Sequence, residues 1–224
     1  MDERAPRTAV SALRFRLLGF PVSVDPSFFL LAIFLGLGGR DFRLVAVWVG
    51  VVFVSILLHE LGHAVAGRAF GLEPRIHLYS MGGLTSWRSA RSLPHNRNIV
   101  ISLAGPAAGF AMGLFILWLR SALPVRDSLL LWVAVQDLLW VNVGWGLVNL
   151  LPILPLDGGN VMRSVVQAYR GDHDERTPRL VSIVTGALIC LFALWARVFW
   201  GAFLAGLFTF MNVAALKQQR LPRL

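Results

Sequence analysis

Six stretches of the chain are apolar and nearly free of charge, each close to the roughly 20 residues that a helix needs to cross a bilayer. Residues 17–39 carry only Asp25, and 44–58 carry no charge before running through a His-Glu pair to Phe70. Residues 98–119 are clean, 128–151 are interrupted by Asp137 alone, and 180–196 and 198–216 are separated by Arg197. This pattern predicts an all-α polytopic membrane protein with about six transmembrane helices, residues 1–224 forming a single integral membrane domain. A carboxylate in mid-span is costly, so the fourth span has an alternative start near Asp137, with 124–136 as an outer-leaflet connection.

Two longer polar segments remain, 71–97 and 158–179. In the first, Ile76 and Leu78 alternate with Arg75, His77 and Tyr79 before Gly82-Gly83, a strand-like period around a glycine turn or bulge. The expectation is a small membrane-associated β-hairpin between the second and third spans; an amphipathic loop resting on lipid headgroups is the alternative. An extended substrate segment could add to the edge of such a hairpin, which makes Gly82 and Gly83 candidate substrate-binding positions.

Composition narrows the class further. Hydrophobic residues make up 56% and charged residues 15%, against about 25% charged in an average soluble domain. A disordered tail, a coiled coil and a water-soluble globule are excluded. The single cysteine, Cys190, permits neither an intramolecular disulfide nor a cysteine metal cluster within one chain. A net charge of +9 invites a nucleic-acid reading, but the placement of the 21 basic residues argues against it. With six spans, Arg40, Arg43, Arg120, Arg126 and Arg197 fall outside and all the others fall on cytoplasmic segments, the positive-inside bias. Both termini are therefore expected in the cytoplasm, in a multi-pass protein of the inner or plasma membrane, with no nucleic-acid partner. A cleaved leader would leave an odd number of spans and spoil that bias.

Other repeats read as packing or anchoring. Gly105, Gly109 and Gly113 form one small-residue face, and Gly62, Ala66 and Gly67 another, each allowing close approach of a neighbouring helix. Trp87, Trp118, Trp132 and Trp200 lie near span ends, where interfacial anchoring is expected.

The chemistry begins late in the second span, at His59-Glu60-Leu61-Gly62-His63. On a helix the i, i+4 spacing puts both imidazoles on one face, able to hold one zinc ion, with Glu60 within reach of a water there. Two histidines and a glutamate at that depth are costly without a partner or a polar cavity. A catalytic zinc site uses three protein ligands and an open position. His77, His95 and His173 lie in polar segments, and Asp157 is the better third candidate. It follows Pro152 and Pro155, which break the helix at the end of the fourth span, and irregular backbone at membrane depth must be packed in protein or line a cavity. The other reading of Asp157 is an N-cap for a helix over 158–169, and the two roles are compatible. Asn142 and Asn149, on one helix face, are candidate donors to an oxyanion; hydrogen bonding between helices is their alternative use.

These residues carry a resemblance. A His-Glu-x-x-His inside a membrane span, followed about a hundred residues later by Asn149-Leu150-Leu151-Pro152 and then Asp157-Gly158, resembles the site-2 protease family of intramembrane zinc metalloproteases. Leu103-Ala104-Gly105-Pro106 and the Asn142/Asn149 pair also look familial, and the likeness covers at least residues 44–165. The resemblance implies that His59, His63 and Asp157 bind one zinc per chain, that Glu60 is the catalytic base, and that a membrane-associated hairpin lies after the second span. It departs from the family pattern at Gly109, where many relatives carry asparagine, and at Asn160, where arginine is usual. The chain reads as the minimal form, without PDZ or CBS domain: a catalytic core at about 44–165 and a two-helix C-terminal hairpin at 171–224. The implied function is zinc endopeptidase cleavage in or near transmembrane segments of single-span, membrane-tethered substrates, with a homodimer or a regulatory membrane partner as further partners. A non-proteolytic metal-dependent transporter or binding scaffold is the alternative, and Glu60 discriminates, since neither needs a general base.

Overall fold

The computed structural model describes residues 13–38, 41–88, 93–122, 124–125 and 127–218. The chain ends, Arg40 and Arg126, which enter the charge-based orientation, lie outside these residues. The chain divides into two compact units, Met1–Arg91 with Ala107–Trp145, and Ser92–Pro106 with Gly146–Leu224.

The first unit opens with β1 (Leu13–Leu17), β2 (Phe20–Val24) and the short α1 (Pro26–Gly36), followed by the long α2 (Phe42–Ala69). β3 (Pro74–Tyr79) and β4 (Gly82–Trp87) complete a four-stranded sheet in the order β1-β2-β3-β4. β1/β2 and β3/β4 are antiparallel hairpins; β2 and β3 run parallel, Val22 opposite Ile76 and Val24 opposite Leu78, joined by the α1–α2 crossover. The alternation expected at Ile76 and Leu78 is present and extends to Phe20, Val22 and Val24, whose side chains form one buried face with Phe28, Leu57 and Ala64.

The first predicted span thus takes a mixed form. It divides into the five-residue strand β2 and the eleven-residue apolar helix α1, which is shorter than the roughly 20 residues of a spanning helix. β2 is paired on both edges, with β1 and with β3. Asp25 accepts from the Ser27 N–H at 2.8 Å and starts α1, while Trp48 Nε1 donates to the Ala32 carbonyl at 3.0 Å and fastens α1 to α2. Five helices are long and apolar enough to cross a membrane among the described residues. The expected hairpin is one half of a sheet that the N-terminal segment completes.

The remaining spans follow the apolar pattern. α3 (His95–Leu119) is the third. The fourth runs over Leu129–Asn149, as α4 (Leu129–Leu139), a π-helical turn (Trp140–Gly144) and α5 (Trp145–Asn149), with Ser128 as N-cap. It therefore starts well before Asp137, which is buried within it. In the first unit, the small face of α3 takes the π-helical turn. A Cβ at Gly109 would stand 3.1 Å from the Asn142 carbonyl, and one at Gly113 would stand 2.5 Å from Val143 Cγ2. The Trp87 ring covers Gly67, which shows what the small face of α2 admits.

The second unit contains α6 (Asp157–Arg170), α7 (Arg176–Trp195) and α8 (Phe199–Gln218). α7 and α8 pack together as a hairpin, Gly186 accommodating Thr209 and Cys190 Sγ lying 3.3 Å from the Ala202 carbonyl.

Candidate metal centre

α2 carries His59, Glu60 and His63 in its last three turns, and Glu60 lies against the strand β4 of the first unit. Glu60 is 5% and His63 8% exposed. The Nε2 atoms of His59 and His63 face each other at 3.1 Å, with the rings nearly perpendicular. One donor atom from each of the three residues lies within 4.8 Å of the others. Two imidazole nitrogens on one tetrahedral zinc, each about 2.0–2.1 Å from the ion, stand roughly 3.3 Å apart, so the pair fits such an ion. Two converging imidazole nitrogens are donors that suit zinc, and the Glu60 carboxylate lies close enough to serve a group bound there.

The strand β4 holds the glutamate. Thr85 Oγ1 donates to Glu60 Oε2 at 2.6 Å and lies 3.2 Å from the Glu60 carbonyl oxygen. Gly83 lets the carboxylate lie directly on the strand: a Cβ there would stand 2.5 Å from Glu60 Cγ and 2.7 Å from Cδ. Gly82 has φ +115°, a conformation that the tight turn into β4 requires and that favours glycine. The two glycines therefore have separate reasons, one conformational and one steric against Glu60. Thr85 escaped sequence reading; its only signal was an inward position in an alternating strand.

In the second unit, Asn149 Nδ2 donates to Asp157 Oδ2. Asp157 lies in the first turn of α6, whose N-cap is Leu156, and its carboxylate accepts from the Asn149 amide. Gly158 and Gly159 are needed because the broken segment folds back onto this turn. A Cβ at Gly159 would stand 2.5 Å from the Ile153 carbonyl and the Leu154 nitrogen, and one at Gly158 would strike the Leu150 carbonyl.

Asn142, in the first unit, is 3% exposed and donates to Ser55 Oγ at 2.8 Å and to the Leu138 carbonyl at 2.9 Å. Both amide hydrogens thus tie the π-helical turn to α2 and to its own helix, the alternative use of this residue. Two of the polar-segment histidines have other partners: His77 Nδ1 lies 2.9 Å from Ser23 Oγ and its ring stacks on Tyr79, and His95 pairs with Asp172 at 2.8 Å.

Comparison with known proteins adds relatives. The family model described as Peptidase family M50 matches residues 128–193. The chain is 34% identical over 179 residues to the "Putative zinc metalloprotease" of Synechocystis sp., covering 71% of this chain and 45% of that protein. It is 28% identical over 160 residues to a zinc metalloprotease of Methanocaldococcus jannaschii, covering 70% of this chain and 46% of that one. The chain thus spans about half the length of the curated relatives it matches. The solved structure of the site-2 protease from Methanocaldococcus jannaschii superimposes with a TM-score of 0.64 at 23% identity, covering 95% of this chain and 97% of the other, a likeness of fold.

Proposed function

Because the chain belongs to the site-2 protease family, peptidase family M50, we propose that it is an intramembrane zinc endopeptidase acting on membrane-tethered proteins. The observation that carries this reading is the facing His59 and His63 nitrogens beside a glutamate whose carboxylate is held by Thr85. His59, His63 and Asp157 would hold the ion. When bound, zinc lowers the pKa of a water toward ~7 and polarises a peptide carbonyl.

The chain's own groups supply the rest. Glu60, buried and anchored through Oε2, is oriented to take a proton from water and return it to the leaving amine. Asn149, paired with Asp157, orients that carboxylate, and this supports an indirect role for an asparagine first considered as an oxyanion donor. β4 is an edge strand, and an extended substrate adding beside Gly82 and Gly83 would lie along the strand that holds Glu60. The catalytic core at about 44–165 and the helix pair at 171–224 would work as one membrane domain.

The proposed setting is the inner or plasma membrane, with both termini and the active site toward the cytoplasm. That setting takes the segment of α1 as a first crossing beside the five long helices, which makes six and would return the chain to its starting side. Substrates would be single-span proteins cut in or near their spans, as in regulated intramembrane proteolysis.

The test compares membrane-protein fragments, by mass spectrometry, in source cells carrying wild type or Glu60→Gln at equal expression. A single-span protein that accumulates only with Glu60→Gln supports proteolysis and names a candidate substrate. Identical profiles with metal retained would favour a transporter or scaffold, neither of which needs Glu60.

A further inference from the structure

Pro152 and Pro155 prevent the segment after the fourth span from forming a helix, so its buried backbone groups need partners from elsewhere. For Leu154 those partners are two side chains far along the chain. Its N–H donates to Ser182 Oγ on α7 at 3.0 Å, and its carbonyl accepts from Asn212 Nδ2 on α8 at 2.7 Å. Ser182 is 0% and Asn212 2% exposed, among the most deeply buried polar residues of the molecule.

Both side chains are held in these roles by their own helices. Ser182 Oγ donates to the Pro178 carbonyl at 2.8 Å, so its lone pairs face Leu154. Asn212 gives its second N–H to the Phe208 carbonyl at 2.8 Å. Its Oδ1 is buried and has no partner among the described residues. With two carbonyls as neighbours of Nδ2, the amide is oriented by its donors alone.

We propose that the α7–α8 hairpin is a backbone clamp: Ser182 and Asn212 are positioning residues that hold Leu154, and through it the start of α6 and Asp157, in metal-binding geometry. The mechanical link is the contact at Gly159, where the Ile153–Leu154 backbone lies against the first turn of α6 with no space for a Cβ. Leu154 cannot shift without moving that turn, which begins at Asp157. This rests on the reading of Asp157 as a zinc ligand, and it gives the last two spans a task beyond filling the bilayer.

The experiment uses the full chain in detergent or nanodiscs and measures zinc affinity by chelator competition, the absorption spectrum with Co²⁺ in place of zinc, and hydrogen exchange over residues 150–160. Ser182→Ala and Asn212→Asp are compared with Ser182→Thr, which keeps the hydroxyl, with Cys190→Ala elsewhere in the same hairpin, and with Asp157→Asn. Zinc affinity is expected to fall about 10–100-fold in the first two, the usual cost of losing a support for a ligand. Faster exchange over 150–160 and an altered Co²⁺ spectrum should accompany it, while Ser182→Thr and Cys190→Ala stay near wild type. If Asn212→Asp does not fold, Ser182→Ala carries the same measurement. Unchanged exchange and unchanged affinity in Ser182→Ala would overturn the clamp, as would an equal loss in Cys190→Ala. If Asp157→Asn keeps full affinity, the ligand reading fails by itself. The clamp on Leu154 then stands if Ser182→Ala speeds exchange over 150–160 and falls if it does not.

Discussion

The end of α2 and the segment between α5 and α6 hold polar groups among apolar surroundings in opposite ways. His59, Glu60 and His63 stand on an unbroken helix whose backbone satisfies itself, so four residues of spacing suffice to bring them together. Asp157 follows a stretch that no helix can satisfy, and its surroundings are supplied from a distance: Asn149 for the carboxylate, Ser182 and Asn212 for the backbone. The comparison teaches that a ligand on regular structure is legible from a motif. A candidate on irregular structure also depends on residues outside its motif, here Ser182 and Asn212.

The contrast can be broken most sharply at Asn149. Asn149→Leu removes the amide that orients Asp157 and is expected to weaken zinc binding about 10–100-fold, read by competition with a chromophoric chelator. Thr85→Val, its counterpart on the helical side, should leave zinc binding intact, so equal losses in the two variants would erase the distinction. Next in size is Gly159→Ala, which forces a methyl group into the Ile153–Leu154 backbone and should cost about 1–3 kcal/mol of stability, measured by unfolding in mixed micelles. Ala66→Gly, on the regular helix α2, should cost only about 1 kcal/mol through helix propensity.

Smaller in effect, Thr85→Val removes a hydrogen bond to a carboxylate and should lower turnover by about tenfold, corresponding to the lower end of the about 1.5–3 kcal/mol that such bonds are worth, at about 1.4 kcal/mol per decade. Thr85→Ser should restore most of it. A fluorogenic substrate peptide in nanodiscs would show whether kcat carries the change.

The smallest effect lies at Asp174, before α7. The Thr177 backbone N–H and then its hydroxyl, with Arg170 adding a lesser attraction, hold its carboxyl below the ordinary value of 3.8. A depressed folded pKa gives stability that is fully present above the unfolded pKa and is lost as pH falls through the folded one. The melting temperature of wild type should therefore exceed that of Asp174→Asn at about pH 6, with the gap closing below about pH 4; a gap that persists undiminished at about pH 2 would count against this origin.

How much of this was legible depends on the range of the contacts. The His-Glu-x-x-His group and the break before Asp157 are local patterns, and the structure has both features where the spacing put them. The β1–β2 hairpin was hidden because Phe20, Val22 and Val24 alternate with Pro21 and Ser23 inside a long apolar run, which reads as a helix when averaged over a span. Its partner β3 lies more than fifty residues on, and pairing at that distance leaves no trace in a window. Thr85, Ser182 and Asn212 were missed for the same reason: each acts on a residue in another element. Asn142 was noticed, but only the fold reveals that Ser55 receives its amide.

The parallel pairing of β2 with β3 also constrains the order in which the protein can be made. When residues 20–24 leave the ribosome, the backbone groups on the β3 side of that strand have no partner, and none exists until Ile76 to Leu78 have been synthesised. Asp25 waits equally long, since its N–H donates to the Leu78 carbonyl at 2.8 Å. The opening strand therefore completes its pairing only after the whole of α2 has been synthesised, so the earliest sheet residues and the strand that follows α2 reach their native state together.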